Sequence, residues 1–156
     1  MKMLKVFIIV LLFFLAIAPA LTLLHELGHA AIPVLKGQNT SIEVGHLRFI
    51  KLSFRNLSIE VGFLKPWIGF TRWQDNSVLP LIGGPLVSII LAILFISIGT
   101  KESSIFGSRL LFACAGWCFF QFVFTILPMT YPIWFGYGQD VASDGKQILE
   151  AILGRR

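Results

Sequence analysis

The chain has 156 residues, room for one domain, and 56% of them are hydrophobic against 13% charged. A mean hydropathy of +0.81 exceeds what water-soluble domains carry, which argues against a soluble globular fold. The formal net charge of +5 does not point to nucleic acid, because the cations flank apolar runs instead of gathering with aromatic platforms on a polar face.

The first predicted element is a membrane span. Met3 to Leu24 holds about twenty residues with Lys5 the only charge, enough to cross a hydrocarbon layer of roughly 30 Å as a helix. With its apolar continuation the span covers residues 3–35, and Pro19 marks a kink or local opening within it. Lys2 and Lys5 followed by an apolar run and Ala16-Ile17-Ala18 or Ala18-Pro19-Ala20 also match a cleavable secretory signal. That run is long for a signal core, and cleavage there would detach His25 from the helix that buries it.

Residues 40–73 change period. Ile42 and Val44, Leu47 and Phe49, then Leu52, Phe54, Leu57, Ile59 and Val61 alternate at two, with Gly45, Asn56 and Gly62 as turn or bulge positions. The expectation is a small sheet or pair of hairpins at the membrane surface, since open strands cannot satisfy their backbone in lipid. An uncharged run over 79–99 comes next, with Gly83-Gly84-Pro85 allowing close helix approach, and then 105–127, interrupted only by Arg109 near its start and closed by Pro128. The segment 128–138 is broken by Pro and Gly and carries Tyr131, Trp134 and Tyr137 as interfacial aromatics. An amphipathic helix is predicted over 141–153, with Val141, Ile148, Ala151 and Ile152 on its apolar side. Together these elements describe a polytopic α-helical membrane protein of three to four transmembrane helices, with a small β-sheet between the first and second spans, as one domain over 1–156.

Cys114 and Cys118 stand four apart in an apolar run and read as small packing residues. Lys36, Lys51, Arg55, Lys65, Arg72, Lys146, Arg155 and Arg156 fall on one side of three spans, with Arg48. This side outnumbers Lys2, Lys5, Lys101 and Arg109 and is expected to face the cytoplasm, with residues 25–29 at that end of the first span.

The chemistry lies in His25-Glu26-Leu27-Gly28-His29. Two histidines four apart share one helix face and can bind a single Zn²⁺, with Glu26 beside the ion as a candidate general base. Ionisable residues in a span are usually there for function. The plainer reading is a solvated helix end in which Glu26 meets a cation such as Lys36. Gly28 is expected to leave space beside the metal. A third ligand must come from His46, Asp75, Asp140, Asp144 or a glutamate, Glu43, Glu60, Glu102 or Glu150. Asp144 leads, with a helix N-cap as its competing role, and Asp140 is second; His46 reads as a surface strand residue.

These motifs resemble the site-2 protease family of intramembrane zinc metalloproteases, through HELGH at the end of the first span and Ser143-Asp144-Gly145 after the last. The resemblance implies His25, His29 and Asp144 as zinc ligands and Glu26 as catalytic base. Gly84-Pro85 also matches, with Ser88 near the place where the family shows Asn. The Asn-Pro and Leu usually ahead of Asp-Gly are absent, replaced by the long 128–143 connection, and so is a PDZ-like domain. The resemblance further implies a multi-pass protein of a bacterial cell membrane that hydrolyses peptide bonds in or near transmembrane segments of membrane-protein substrates. The alternative is a non-catalytic zinc-binding membrane protein acting in assembly or regulation. A metal transporter would need more polar residues than Ser88, Ser97, Gln121 and Thr125 in the later spans.

Overall fold

In the computed structural model the described residues are 2–74, 77–135 and 140–154. The chain begins with one long helical rod: α1 (Lys2–Leu12), a π-helical turn at Phe13–Ile17, and α2 (Ala18–Leu35). Pro19 has no N–H to give the preceding turn. The wider π turn, in which the Ala18 N–H reaches back to the Phe13 carbonyl, absorbs that loss without breaking the rod. α3 (Leu79–Gly99) and α4 (Ile105–Ile126) form a helical hairpin. Ser104 caps α4 by accepting from the Gly107 N–H, and Ser108 Oγ donates to the Gly99 carbonyl at 2.9 Å across the turn.

Val6–Leu35, Leu79–Gly99 and Ile105–Ile126 are each long and apolar enough to cross a membrane. The bundle core is built from Leu21, Ala92, Cys114 and Cys118, with Phe13, Ile17 and Trp117 packed against it. Both cysteines are therefore buried and unbridged, as packing residues are. Phe13 and Phe14 meet Trp117 edge-on, with ring centroids 6.0 and 5.7 Å apart. The outward side chains, among them Ile90, Ile93, Leu94 and Phe119, are exposed and apolar, the surface expected of helices made to face lipid.

The region with period two forms two long strands, β1 (Thr40–Phe54) and β2 (Leu57–Arg72), each bent at its middle. Gly45, at φ +70°, and Leu47, at φ +52°, turn β1. Bending creates four ladder segments from two strands. Residues 50–54 pair antiparallel with 57–61 around the Arg55-Asn56 turn, 57–61 run parallel to 40–44, and 41–44 pair antiparallel with 69–72. The spatial order is thus 50–54, 57–61, 40–44, 69–72, with 69–72 on the edge next to α2. Ile42 and Val44 anchor the sheet against Ala30, with Leu27 and Val34 packed alongside.

After α4, β3 (Thr130–Tyr131) pairs antiparallel with β4 (Val141–Ala142), and a 3₁₀ turn occupies Ile133–Phe135. This hairpin returns the chain to the end of α4, where α5 (Asp144–Ile152) begins. The predicted helix over 141–153 is therefore shorter at its start: Val141 and Ala142 are strand residues, and Ser143 is the cap that opens the helix. Its apolar side is not a buried one, since Ile152 is exposed and Ile148 and Ala151 are half-buried. The interfacial aromatic Tyr137 and the terminal cations Arg155 and Arg156 lie outside the described residues.

Candidate metal centre

His25 and His29 sit one turn apart on α2, with rings edge-on at 4.8 Å between centroids and Nε2 atoms 3.2 Å apart. Asp144, the first residue of α5, brings its Oδ2 to 3.3 Å from His29 Nε2 and 3.8 Å from His25 Nε2. Donors placed tetrahedrally at about 2.0–2.1 Å from one zinc ion stand about 3.3 Å apart, so these three atoms fit a single ion. Among the described residues these three form a cluster that can hold a metal.

The tautomers favour a cation. His29 Nδ1 lies 2.8 Å from the Pro80 carbonyl, which can only accept, so Nδ1 carries a proton and, in the neutral ring, Nε2 presents a lone pair. That short contact outweighs the 3.4 Å approach of the Gly84 N–H to the same nitrogen. His25 Nδ1 lies 2.7 Å from Ser88 Oγ, where the hydroxyl can accept in the same sense. Two imidazole lone pairs and a carboxylate oxygen then converge in a buried place, an arrangement that a divalent cation relieves.

α3 supplies this outer layer and comes close enough through glycine. A Cβ on Gly84 would overlap the His29 ring and reach within 2.7 Å of His25 Nε2. Gly28 faces Gly83, where a Cβ would stand 2.5 Å from the Gly83 carbonyl oxygen. The expectation that Gly28 leaves space beside the metal is therefore corrected. Its missing side chain makes room for α3, and Gly84 is the residue that clears the donors.

Asp144 is not the N-cap of α5. Ser143 Oγ accepts from the Lys146 N–H at 3.1 Å, and donates to the Leu127 carbonyl at 2.5 Å, which pins the start of α5 to the end of α4. Capping by its neighbour leaves the Asp144 carboxylate free to face the histidines. Gly145 explains the Asp-Gly pair, because a Cβ there would overlap the Ile126 carbonyl.

Glu26 is buried and held by the sheet. Thr71 Oγ1 reaches its Oε2 at 2.7 Å and its backbone oxygen at 3.1 Å, and a Cβ on Gly69 would overlap its carboxyl. A cavity of about 130 Å³ joins Glu26, both histidines and Asp144 to Thr71 and Gln121. The other carboxylates are elsewhere: Asp140 is exposed and outside the cluster, Glu43 pairs with Arg72 at 2.6 Å, Glu60 with Lys51 at 2.9 Å, and Glu102 accepts from the Ser104 N–H at 2.9 Å. Glu150 lies 3.8 Å from Lys146, His46 is exposed on β1, and Asp75 lies outside the described residues. Sequence reasoning missed Thr71, the Pro80 carbonyl and Gln121. The period-two pattern could have flagged Thr71 as an edge residue, but nothing in a sequence marks a backbone oxygen.

No protein-family model, curated protein or solved structure matches this chain.

Proposed function

We propose that this chain is a multi-pass intramembrane zinc endopeptidase of the site-2 protease kind, hydrolysing peptide bonds in or beside transmembrane segments of membrane-protein substrates. The observation that carries the reading is a buried carboxylate, Glu26, sharing one small cavity with His25, His29 and Asp144 inside an apolar helical bundle. Zinc, when held by those three residues, supplies Lewis-acid polarisation of the scissile carbonyl and makes water acidic enough to deprotonate near neutral pH.

Glu26 takes the proton from the attacking water as the new C–O bond forms. It then delivers that proton to the departing nitrogen as the C–N bond breaks, leaving a carboxylic acid and an amine, which exchange the remaining proton to give carboxylate and ammonium. Thr71 keeps the Glu26 carboxyl in place for both transfers. Because a helical peptide bond is tied up in its own backbone ladder, the substrate must arrive extended. The 69–72 edge segment, which borders the cavity and pairs with 41–44 on its other side, is suited to hold it by strand addition. The excess of cations on the HELGH side of the spans supports a cytoplasmic position for the site.

The test is Glu26→Gln in purified, zinc-loaded protein reconstituted with a transmembrane substrate peptide. The expected result is one zinc per chain retained and cleavage reduced by about 10²-fold or more. Unchanged cleavage, or a cellular phenotype that survives the substitution, removes the enzyme reading in favour of a non-catalytic zinc protein.

A further inference from the structure

α4 carries two polar atoms, one helical turn apart, that have no partner among the described residues: the indole Nε1 of Trp117 and the amide Oε1 of Gln121, both buried. The surroundings decide which end of the Gln121 amide is which. Thr22 Oγ1 gives its one proton to the Pro66 carbonyl at 2.7 Å, so it must accept from Gln121, whose Nε2 lies 2.9 Å away. The carbonyl end is therefore the one left over. Gln121 is only 7% exposed, and a buried amide oxygen without a hydrogen-bond partner is costly.

The two side chains belong to adjoining spaces. Gln121 lines the metal cavity. Trp117 lines an apolar recess of about 320 Å³ with Trp67, Phe120 and Phe135, and those last three residues also line the metal cavity. The recess thus adjoins the metal cavity along α4, with aromatic side chains shared between them. An occupant of both must bring an N–H for Gln121, a carbonyl for Trp117, and apolar bulk between aromatic rings. Residues two apart in an extended peptide present such groups on one side at about 6.6 Å, close to the spacing of side chains one turn apart on a helix. The headgroup of phosphatidylcholine and its acyl chains offer no donor at all.

We propose that Trp117 and Gln121 form a substrate subsite: Gln121 Oε1 accepts from a backbone N–H of the extended substrate, Trp117 Nε1 donates to one of its carbonyls, and the recess takes a large apolar side chain. The subsite rests on the peptidase reading and makes it one for substrates with a leucine- or phenylalanine-sized residue near the scissile bond.

The experiment measures binding to the zinc-loaded full-length chain in detergent, using two probes that both chelate the metal. One is acetohydroxamate; the other is a hydroxamate carried on a leucyl-phenylalanine amide. Trp117→Phe, which removes an N–H that serves no partner among the described residues, and Gln121→Met should each weaken the peptidyl probe about tenfold and leave acetohydroxamate and zinc stoichiometry unchanged. An ester analogue of the peptidyl probe, lacking the N–H that faces Gln121, should bind wild type about tenfold less tightly and lose nothing further in Gln121→Met. Wild-type affinity of both variants for the peptidyl probe overturns the subsite while leaving the metal centre standing, and so does equal weakening of both probes. Displacement of the peptidyl probe by short-chain phosphatidylcholine, indifferent to both substitutions, assigns the recess to lipid and overturns it too. If wild type binds neither probe, the metal reading fails and the subsite falls with it.

Discussion

Gly28→Ala tests whether the α2–α3 contact sets the metal centre. The added Cβ would stand 2.5 Å from the Gly83 carbonyl oxygen, 2.8 Å from its carbon and 2.9 Å from Val87 Cγ2. Two of these three are backbone atoms, so no side-chain rotation relieves the overlap, and α3 must move off α2 by about 1 Å at a cost of roughly 1–3 kcal/mol. The same movement pulls the Pro80 carbonyl and Ser88 Oγ away from the histidine Nδ1 atoms, which they meet at 2.8 and 2.7 Å. Losing such support typically lowers metal affinity about 10–100-fold. Zinc titration with a competing chelator, read beside a thermal melt, should show both losses. Gly116→Ala is the control, because nothing lies within 4 Å of a Cβ there. Wild-type zinc affinity in Gly28→Ala would refute the claim that helix spacing orients the ligands.

Asp144→Asn should abolish stoichiometric zinc binding measured by elemental analysis, whereas Asp140→Asn should leave it intact, since the exposed Asp140 stands outside the donor cluster. Ser88→Ala removes the partner of His25 Nδ1 and should weaken zinc about tenfold or more in the same chelator titration, with the fold retained. Thr71→Val frees the Glu26 carboxyl; kcat on a reconstituted peptide substrate should fall about tenfold at unchanged zinc content, and an unchanged kcat would count against Thr71 as the residue that positions the base.

The parts of this molecule that were legible in the sequence are those carried by local pattern. Long apolar runs marked the three helices, the alternation from Ile42 to Val61 marked the strands, and the small Gly83-Gly84 pair marked the close approach of α3. What stayed hidden depends on contacts between distant segments. The same alternation fits two simple hairpins or one bent four-segment sheet, and the choice is made by positive-φ residues such as Leu47, which no propensity favours. The role of Asp144 could not be separated from capping by sequence alone, because Ser143 and Asp144 are both good N-caps. The separation comes from Ser143 being tied to Leu127, sixteen residues earlier.

The assembly of the site is governed by the way apolar helices associate. Within lipid no hydrophobic drive would bring two apolar helices such as α2 and α3 together, which leaves that task to close packing and interhelical hydrogen bonds. At this site those contacts are the ones that arrange the donors. Gly28 against Gly83 sets the depth of α3, which carries the oxygens that orient both imidazoles. Gly145 against Ile126 and Ser143 on Leu127 set α5, which carries the carboxylate. Gly69 against Glu26 sets the sheet edge, which carries the threonine that holds the Glu26 carboxyl. The contacts that pack these elements are thus the ones that arrange the site. A side chain added at Gly28, Gly69 or Gly145 should damage metal binding or the placement of Glu26 before it unfolds the bundle, whose core at Leu21, Ala92 and Cys118 lies apart from these crossings.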